Sequence, residues 1–275
     1  MNTRAIPKKS LGQHWLHDPV SLQAMLAAAR VDEHDTVLEI GPGLGTLTEL
    51  LVHAADQVVA VEFDEALAHD LSERVESLVG APAGNLRVVH QDILAFDLTS
   101  LPPGYKVVAN IPYYLTSKLV RVLSESSNPP SVAVLLVQRE VAERLAARPG
   151  GLSILGVTAQ YYFDVTLDKI VPAELFTPPP KVDSQIVVLR RRSTPLFPMT
   201  NPDGSMFDAR EFFRIVKAGF GAKRKTLLNS LSGGLHLSKD DTRVLLTEAG
   251  INPGLRAQNL SLDDWYRLHM RYMAL

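Results

Sequence analysis

The chain has 275 residues, 46% of them hydrophobic, with 28 Lys and Arg, 30 Asp and Glu and no cysteine. That is enough chain for one large α/β domain and a smaller second one, and the composition excludes disorder, collagen-like repeats and disulfide scaffolds. Without cysteine, zinc ribbons, iron–sulfur clusters and thiol chemistry are excluded as well, and a reducing, cytoplasmic setting is expected. The near-zero net charge of −2 conceals an asymmetry: residues 1–180 carry 13 Lys and Arg against 21 Asp and Glu, whereas residues 181–275 carry 15 against 9. The basic last third therefore predicts a surface that meets a polyanion.

From the N-terminus, Arg4, Lys8 and Lys9 are followed by no apolar stretch, so neither a secretory signal nor a membrane span is expected. Short β-rich runs then alternate with helical spacing. Strands are predicted at 36–40, 57–62, 86–90, 105–109, 131–137, 164–171 and 184–189, and helices at 46–54, 64–79, 116–124 and 139–147, with 152–161 an ambiguous apolar run. Seven strands in this alternation predict an α/β fold, a parallel sheet covered on both faces. The prolines and glycine of 193–204 break the pattern as a linker. Helical spacing resumes at 208–220, 223–231, 239–249 and 261–272, with Ser261 and Asp264 spaced as a capping box. The expected organisation is a catalytic domain over 1–192, a linker over 193–204 and a helical domain over 205–275.

The chemistry is written at the strand ends. Strand one runs into Glu39-Ile-Gly41-Pro-Gly43-Leu-Gly45-Thr46, a glycine-rich turn entering a helix where open α/β sheets bind ligands. Thr46 stands where a dinucleotide fingerprint wants its third glycine, which disfavours a nicotinamide dehydrogenase. Glu62, 21 residues after Gly41, ends strand two where a carboxylate accepts from both ribose hydroxyls of an adenosine, and Asp92 follows strand three within reach of an adenine amine. Together they predict a pocket for S-adenosylmethionine.

Strand four ends in Asn110-Ile111-Pro112-Tyr113. An adenine amine is a poor nucleophile because its lone pair is delocalised into the ring, so a site that uses it must supply acceptors as it becomes pyramidal. The Asn110 side-chain oxygen and the Ile111 carbonyl, freed from ladder duty by Pro112, supply two. Tyr113 offers a face for an extruded base, and Phe176, in the rigid run Phe176-Thr-Pro-Pro-Pro-Lys-Val-Asp183, the opposite wall. Lys8 to Leu16 is suited to closing over the pocket, and Arg190 to Arg192, Lys217 and Lys223 to Lys225 supply candidate phosphate contacts. The eight histidines show no metal-ligand spacing, so no metal is assigned.

Lys8 to Leu16, Glu39 to Thr48, Glu62, Asp92, Asn110 to Tyr113, Phe176 to Ser184 and Phe213 to Leu231 together resemble the ribosomal RNA adenine dimethyltransferase family, in its bacterial small-subunit branch. The resemblance covers nearly the whole chain. It implies a Rossmann-like class I methyltransferase sheet of seven strands with a small C-terminal helical domain. It also implies S-adenosylmethionine-dependent dimethylation of N6 in two adjacent adenosines of the 3′-terminal hairpin of 16S rRNA, by a monomer acting on the pre-30S particle in small-subunit biogenesis. By the resemblance, His14, Leu16, Gly41, Glu62, Asp92 and Asn110 line the cofactor, while Asn110, Ile111, Pro112, Tyr113 and Phe176 form the catalytic set. The family more usually has Asn and Phe at His14 and Trp15, and often Asn at Tyr114. Its antibiotic-resistance branch, which modifies large-subunit rRNA, and a non-catalytic RNA assembly factor are the rival expectations; the proline run and the long C-terminal domain weigh against the former, the intact acceptor set against the latter.

Overall fold

The computed structural model of the chain describes residues 7–8, 11–198 and 206–275. Lys9 and Ser10 of the basic N-terminal segment, and residues 199–204 of the expected linker, lie outside the described residues. By chain contacts the protein divides into two compact units: Met1–Glu143 with Phe163–Arg191, and Arg144–Tyr162 with Arg192–Leu275.

The first unit is built on a sheet. In chain order it contains β1 (Trp15–Leu16), α1 (Pro19–Ala29), β2 (Thr36–Ile40), α2 (Thr46–Ala54), β3 (Gln57–Glu62), α3 (Glu65–Val79), β4 (Leu86–His90), β5 (Lys106–Asn110), α4 (Thr116–Glu125) and β6 (Val132–Gln138). After α5 (Arg139–Leu145) and α6 (Ile154–Tyr162) come β7 (Phe163–Val171), β8 (Phe176–Thr177) and β9 (Ser184–Arg191). Seven strands lie in the order β4-β3-β2-β5-β6-β9-β7, and β1 pairs with β8 separately. The order reverses between β2 and β5, the topological switch point where α/β sheets open a crevice.

Five strands, β2 to β6, are parallel as expected; β9 is antiparallel to both β6 and β7. The difference follows from the connection. A parallel return needs a crossover, usually a helix, whereas residues 172–183 hold only a single 3-10 turn, the two-residue β8 and the proline run. The chain therefore doubles back, and β9 inserts between β6 and β7. The inner strands are apolar on both faces, as in Val132–Gln138, where only Gln138 is not buried. The helices begin at signals legible in the sequence: Asp18 and Asp64 cap α1 and α3, accepting from Ser21 N at 2.9 Å and Ala66 N at 3.2 Å.

The second unit is helical and drawn from two stretches of chain. Its core joins Leu152 and Val157, from the ambiguous run that folds as α6, to Phe197, Phe212, Leu227, Leu245, Trp265 and Leu268. The boundary expected at Arg192 thus misses residues 144–162, of which Leu152, Val157 and Tyr161 pack into the helical core. α7 (Ala209–Phe220), α8 (Leu227–Leu235), α9 (Lys239–Glu248) and α10 (Leu262–Tyr272) complete the unit, and the Ser261/Asp264 capping box is formed. Helix α8 starts four residues later than expected. Lys223, Arg224 and Lys225 precede it in a turn closed by Lys225 N donating to Ala222 O at 2.9 Å, and Thr226 is the N-cap. It also continues through Gly233 and Gly234, because a Cβ on Gly234 would lie 2.7 Å from that of Ala218: the glycine is what lets α7 and α8 approach.

Candidate active site

The ends of β2, β3, β4 and β5 come into register at the switch point. Ile40 pairs with Val61 and Glu62 with His90, and Gly41 N donates to Val61 O at 2.9 Å. Beyond these ends lies a cavity of about 320 Å³, bordered by Gly41, Gly43, Glu62, Asp92, Asn110 and Tyr113 and covered by residues 11–16. Gly41 and Gly43 have φ of +68° and +59°, conformations that side chains rarely adopt, and the Gly43 position is closed a second way: a Cβ there would come 3.0 Å from the Trp15 indole. Arg74 on α3 steadies the turn by donating to Gly43 O at 3.2 Å.

Glu62 is 6% exposed, and its carboxylate is held in place by the backbone: Gly43 N donates to Oε2 at 3.1 Å and Asp64 N to Oε1 at 2.9 Å. Each oxygen keeps a lone pair for a further donor. Burial raises its pKa above the ordinary value, and the Asp64, Gly43 and Phe63 backbone donors oppose that rise. Asp92 is exposed and caps a 3-10 turn, with Oδ1 accepting from Leu94 N at 2.9 Å, so Oδ2 is the oxygen turned to other use.

At the end of β5, the Asn110 amide donates through Nδ2 to the backbone oxygen of His14 at 3.1 Å. That contact fixes which way the amide faces and leaves Oδ1 as an acceptor. The β5–β6 register ends at Asn110, so the Ile111 carbonyl, followed by Pro112, stands outside the ladder. The Tyr113 hydroxyl is 2.7 Å from Ser184 Oγ, and burial raises its pKa, so the phenol stays neutral. The His14 ring lies over Tyr113 with centroids 5.8 Å apart and planes 21° apart, and its Nδ1 donates to Pro178 O at 2.6 Å. Leu16 is buried, its carbonyl accepting from Thr46 Oγ1 at 3.1 Å.

His14, Leu16, Gly41, Glu62, Asp92, Asn110, Ile111, Pro112 and Tyr113 all border the one cavity. Phe176 does not. It is 3% exposed, pairs with Leu16 across β1 and β8, and belongs to the core cluster of Leu22, Met25 and Ile186.

Three positions carry more than the sequence suggested. Glu39 is 1% exposed, with Oε2 lacking a hydrogen-bond partner among the described residues; burial, only partly offset by the Thr48 hydroxyl, pushes its carboxyl up to about 8. Asp64, buried at 4%, takes the Lys8 ammonium at 2.7 Å and the Gln13 amide at 3.5 Å, which ties the N-terminal segment over the cavity. Ser184 holds Tyr113 from a strand 71 residues away. Only the Glu39 signal was local, an acid in an otherwise apolar strand; the other two depend on tertiary placement.

The sequence profile of the family described as ribosomal RNA adenine dimethylase matches residues 6–273. The chain belongs to this family. A ribosomal RNA small subunit methyltransferase A of Dehalococcoides mccartyi (strain CBDB1) is 41% identical over 268 residues, which cover 96% of this chain and 88% of that relative. Among solved structures, a dimethyladenosine transferase from Plasmodium falciparum superposes with a TM-score of 0.74 at 28% identity, covering 93% of this chain and 96% of the other. The 23S rRNA methyltransferase ErmE gives 0.70 at 28%, covering 94% and 98%. The architecture is the Rossmann-like class I methyltransferase fold with a small C-terminal helical domain, and family membership makes the chain an S-adenosylmethionine-dependent rRNA adenine dimethyltransferase. The site suits that cofactor. It offers a buried carboxylate with free lone pairs, a glycine turn without side chains beside it, and a buried, unpartnered Glu39 oxygen at the cavity edge.

Proposed function

We propose that this chain dimethylates N6 of two adjacent adenosines in the 3′-terminal hairpin of 16S rRNA, acting in the cytoplasm as a monomer on the pre-30S particle during small-subunit assembly. The observation that carries this reading is the amide of Asn110, whose Nδ2 is engaged by the His14 carbonyl so that its oxygen is left as an acceptor at a cavity also lined by Ile111, Glu62 and Asp92. The small-subunit choice rests on relatives at 38–41% identity named for that subunit, from Dehalococcoides mccartyi to Enterococcus faecalis.

Glu62 would hold the ribose of S-adenosylmethionine, Asp92 the adenine amine, and Gly41 with the backbone around His14 and Leu16 the rest of the cofactor. When bound, the cofactor supplies an electrophilic methyl group on a sulfonium. Asn110 Oδ1 and the Ile111 carbonyl would accept the two N–H groups of the target amine in the first transfer, and one of them the single N–H left for the second, holding the lone pair out of conjugation. The new N–C bond would form as the methyl–sulfur bond of the sulfonium breaks, and the amine proton would pass to solvent once attack is advanced, so no side chain need act as general base. Tyr113, fixed by Ser184, gives the extruded adenine a stacking face. Phe176 could serve as a second wall only by leaving the core cluster of Leu22, Met25 and Ile186, in which it is 3% exposed. Lys223, Arg224 and Lys225, exposed on the turn before α8, contact phosphates, and no metal takes part.

The test is methylation of pre-30S particles from a strain without the modification, with the purified chain and S-adenosylmethionine, read by primer extension. Two adjacent stops near the 3′ end of 16S rRNA are expected. Stops elsewhere in 16S rRNA, or none, overturn the reading.

A further inference from the structure

Tyr114 and Lys118 border the cavity and have no part in the chemistry above. Tyr114 follows Tyr113 directly, yet it is 64% exposed. Its ring is nevertheless backed. Gly12 lies so close that a Cβ there would sit 3.6 Å from Tyr114 Cδ1 and Cε1 and 3.8 Å from Pro112 Cβ, so the glycine of the N-terminal segment leaves room for one side of the ring while the rest faces solvent. Four residues on, in the first turn of α4, Lys118 is exposed and makes no ion pair among the described residues. The other cation on this helix, Arg121, is engaged by Glu125 at 3.0 Å. A single exposed aromatic is ordinary on a protein surface. One that is backed on one side, at the mouth of a nucleotide cavity and one helical turn from an unpaired cation, has the makeup of a single-stranded nucleic acid subsite: a stacking platform with a phosphate contact beside it.

We propose that Tyr114 and Lys118 form a subsite for the nucleotide flanking the target adenosine, Tyr114 stacking its base and Lys118 meeting its phosphate. The inference rests on the reading of Tyr113 as the platform for an extruded adenine. Extrusion strips a neighbouring base of one stacking partner, and an aromatic face next to Tyr113 replaces it. Because the substrate presents two adjacent adenosines, the flanking base in one round is the target of another, so the subsite sets how well the enzyme holds the pair as it exchanges one for the other.

The experiment compares Tyr114→Ala, Tyr114→Phe, Lys118→Gln and Tyr113→Ala in single-turnover methylation of unmodified pre-30S particles, with S-adenosylmethionine affinity measured by calorimetry on the same proteins. Tyr114→Ala is expected to lower kcat/KM for the particle by about tenfold or more without changing cofactor affinity, with most of the loss restored in Tyr114→Phe. Lys118→Gln should reduce the dependence of log affinity on log salt by about 0.7–0.9. Wild-type kcat/KM in Tyr114→Ala beside an impaired Tyr113→Ala removes the subsite and leaves the site reading intact. Wild-type activity in Tyr113→Ala removes the extrusion reading on which both rest. A fall in cofactor affinity in Tyr114→Ala also overturns the proposal, since the residue then supports the cofactor pocket instead.

Discussion

The sheet unit and the helical unit place their polar groups by opposite means. In the sheet unit, Gly41, Glu62, Asp92 and Asn110 stand at or within two residues of the ends of four paired strands, so the ladder itself sets their spacing. In the helical unit the notable charges, Lys223 to Lys225, sit on an exposed turn, while the rigid part is an apolar and aromatic core gathered from residues 152–162 and 197–268. On the proposed function, the geometry that holds a reacting amine is built on strands, whereas charge that meets a polyanion needs position only to within a screening length and is left on a loop.

The sharpest way to break that contrast is at Asn110. Asn110→Ala removes the acceptor proposed for the target amine and should lower turnover on the order of 10²-fold or more, while S-adenosylmethionine affinity changes less than about threefold. Equal losses in both, measured by single-turnover kinetics and calorimetry, would make Asn110 a cofactor residue instead of a catalytic one. A second test of the contrast is the triple substitution Lys223→Ala, Arg224→Ala, Lys225→Ala. Particle affinity should fall by roughly tenfold or more at physiological salt and the salt slope by about 2 to 3, with cofactor affinity untouched. An unchanged salt slope would take this turn out of the interface. Glu62→Ala should then cost roughly 1.5 to 3 kcal/mol of cofactor binding, the range for hydrogen bonds to a charged acceptor, with no change in the salt dependence of RNA binding.

How far the sequence revealed each unit follows the same division. The glycine turn, Glu62, Asp92 and Asn110 to Tyr113 were legible because each is adjacent to its strand, so spacing along the chain equals placement in space. The antiparallel β9 was not, since hydrophobic periodicity carries no direction; only the lack of a crossover helix between residues 171 and 184 bears on it. Phe176 reads as a site residue from its proline run but packs as core, because the β1–β8 pair that buries it joins segments 160 residues apart, as in Leu16 with Phe176. The share of residues 144–162 in the helical core was equally hidden: apolar periodicity shows that α6 needs a partner, not which one. Helix α8 shows the remaining kind of gap. The helix expected to end at 231 runs on to Leu235 through Gly233 and Gly234, close packing of Gly234 on Ala218 carrying it through them.

Among the described residues each unit also buries an ionisable group with an unpartnered polar atom, Glu39 in one and His269 in the other, and these should respond to pH in opposite directions. Glu39 in β2 keeps its proton in the folded chain up to about pH 8, whereas an unfolded chain gives it up near 4.5. Between those values the folded state binds the extra proton, so stability falls as pH rises through the window. His269 on α10 is 0% exposed among Phe207 and Phe212, with neither ring nitrogen hydrogen-bonded among the described residues, and burial lowers its pKa below the ordinary 6.5 despite Asp208 and Glu211 nearby. Below 6.5 the unfolded chain takes up a proton that the folded chain refuses, so stability falls as pH drops. Glu39→Gln should therefore flatten the alkaline limb of a plot of Tm against pH, and His269→Phe the acid limb, each by on the order of a few degrees. Glu39→Gln further separates stability from chemistry: the amide keeps an oxygen at the cavity edge, so its cofactor affinity should hold while the alkaline limb flattens. If both variants kept the full wild-type pH dependence, the two groups would titrate alike in the folded and unfolded chains, and neither burial would carry the proton linkage assigned to it.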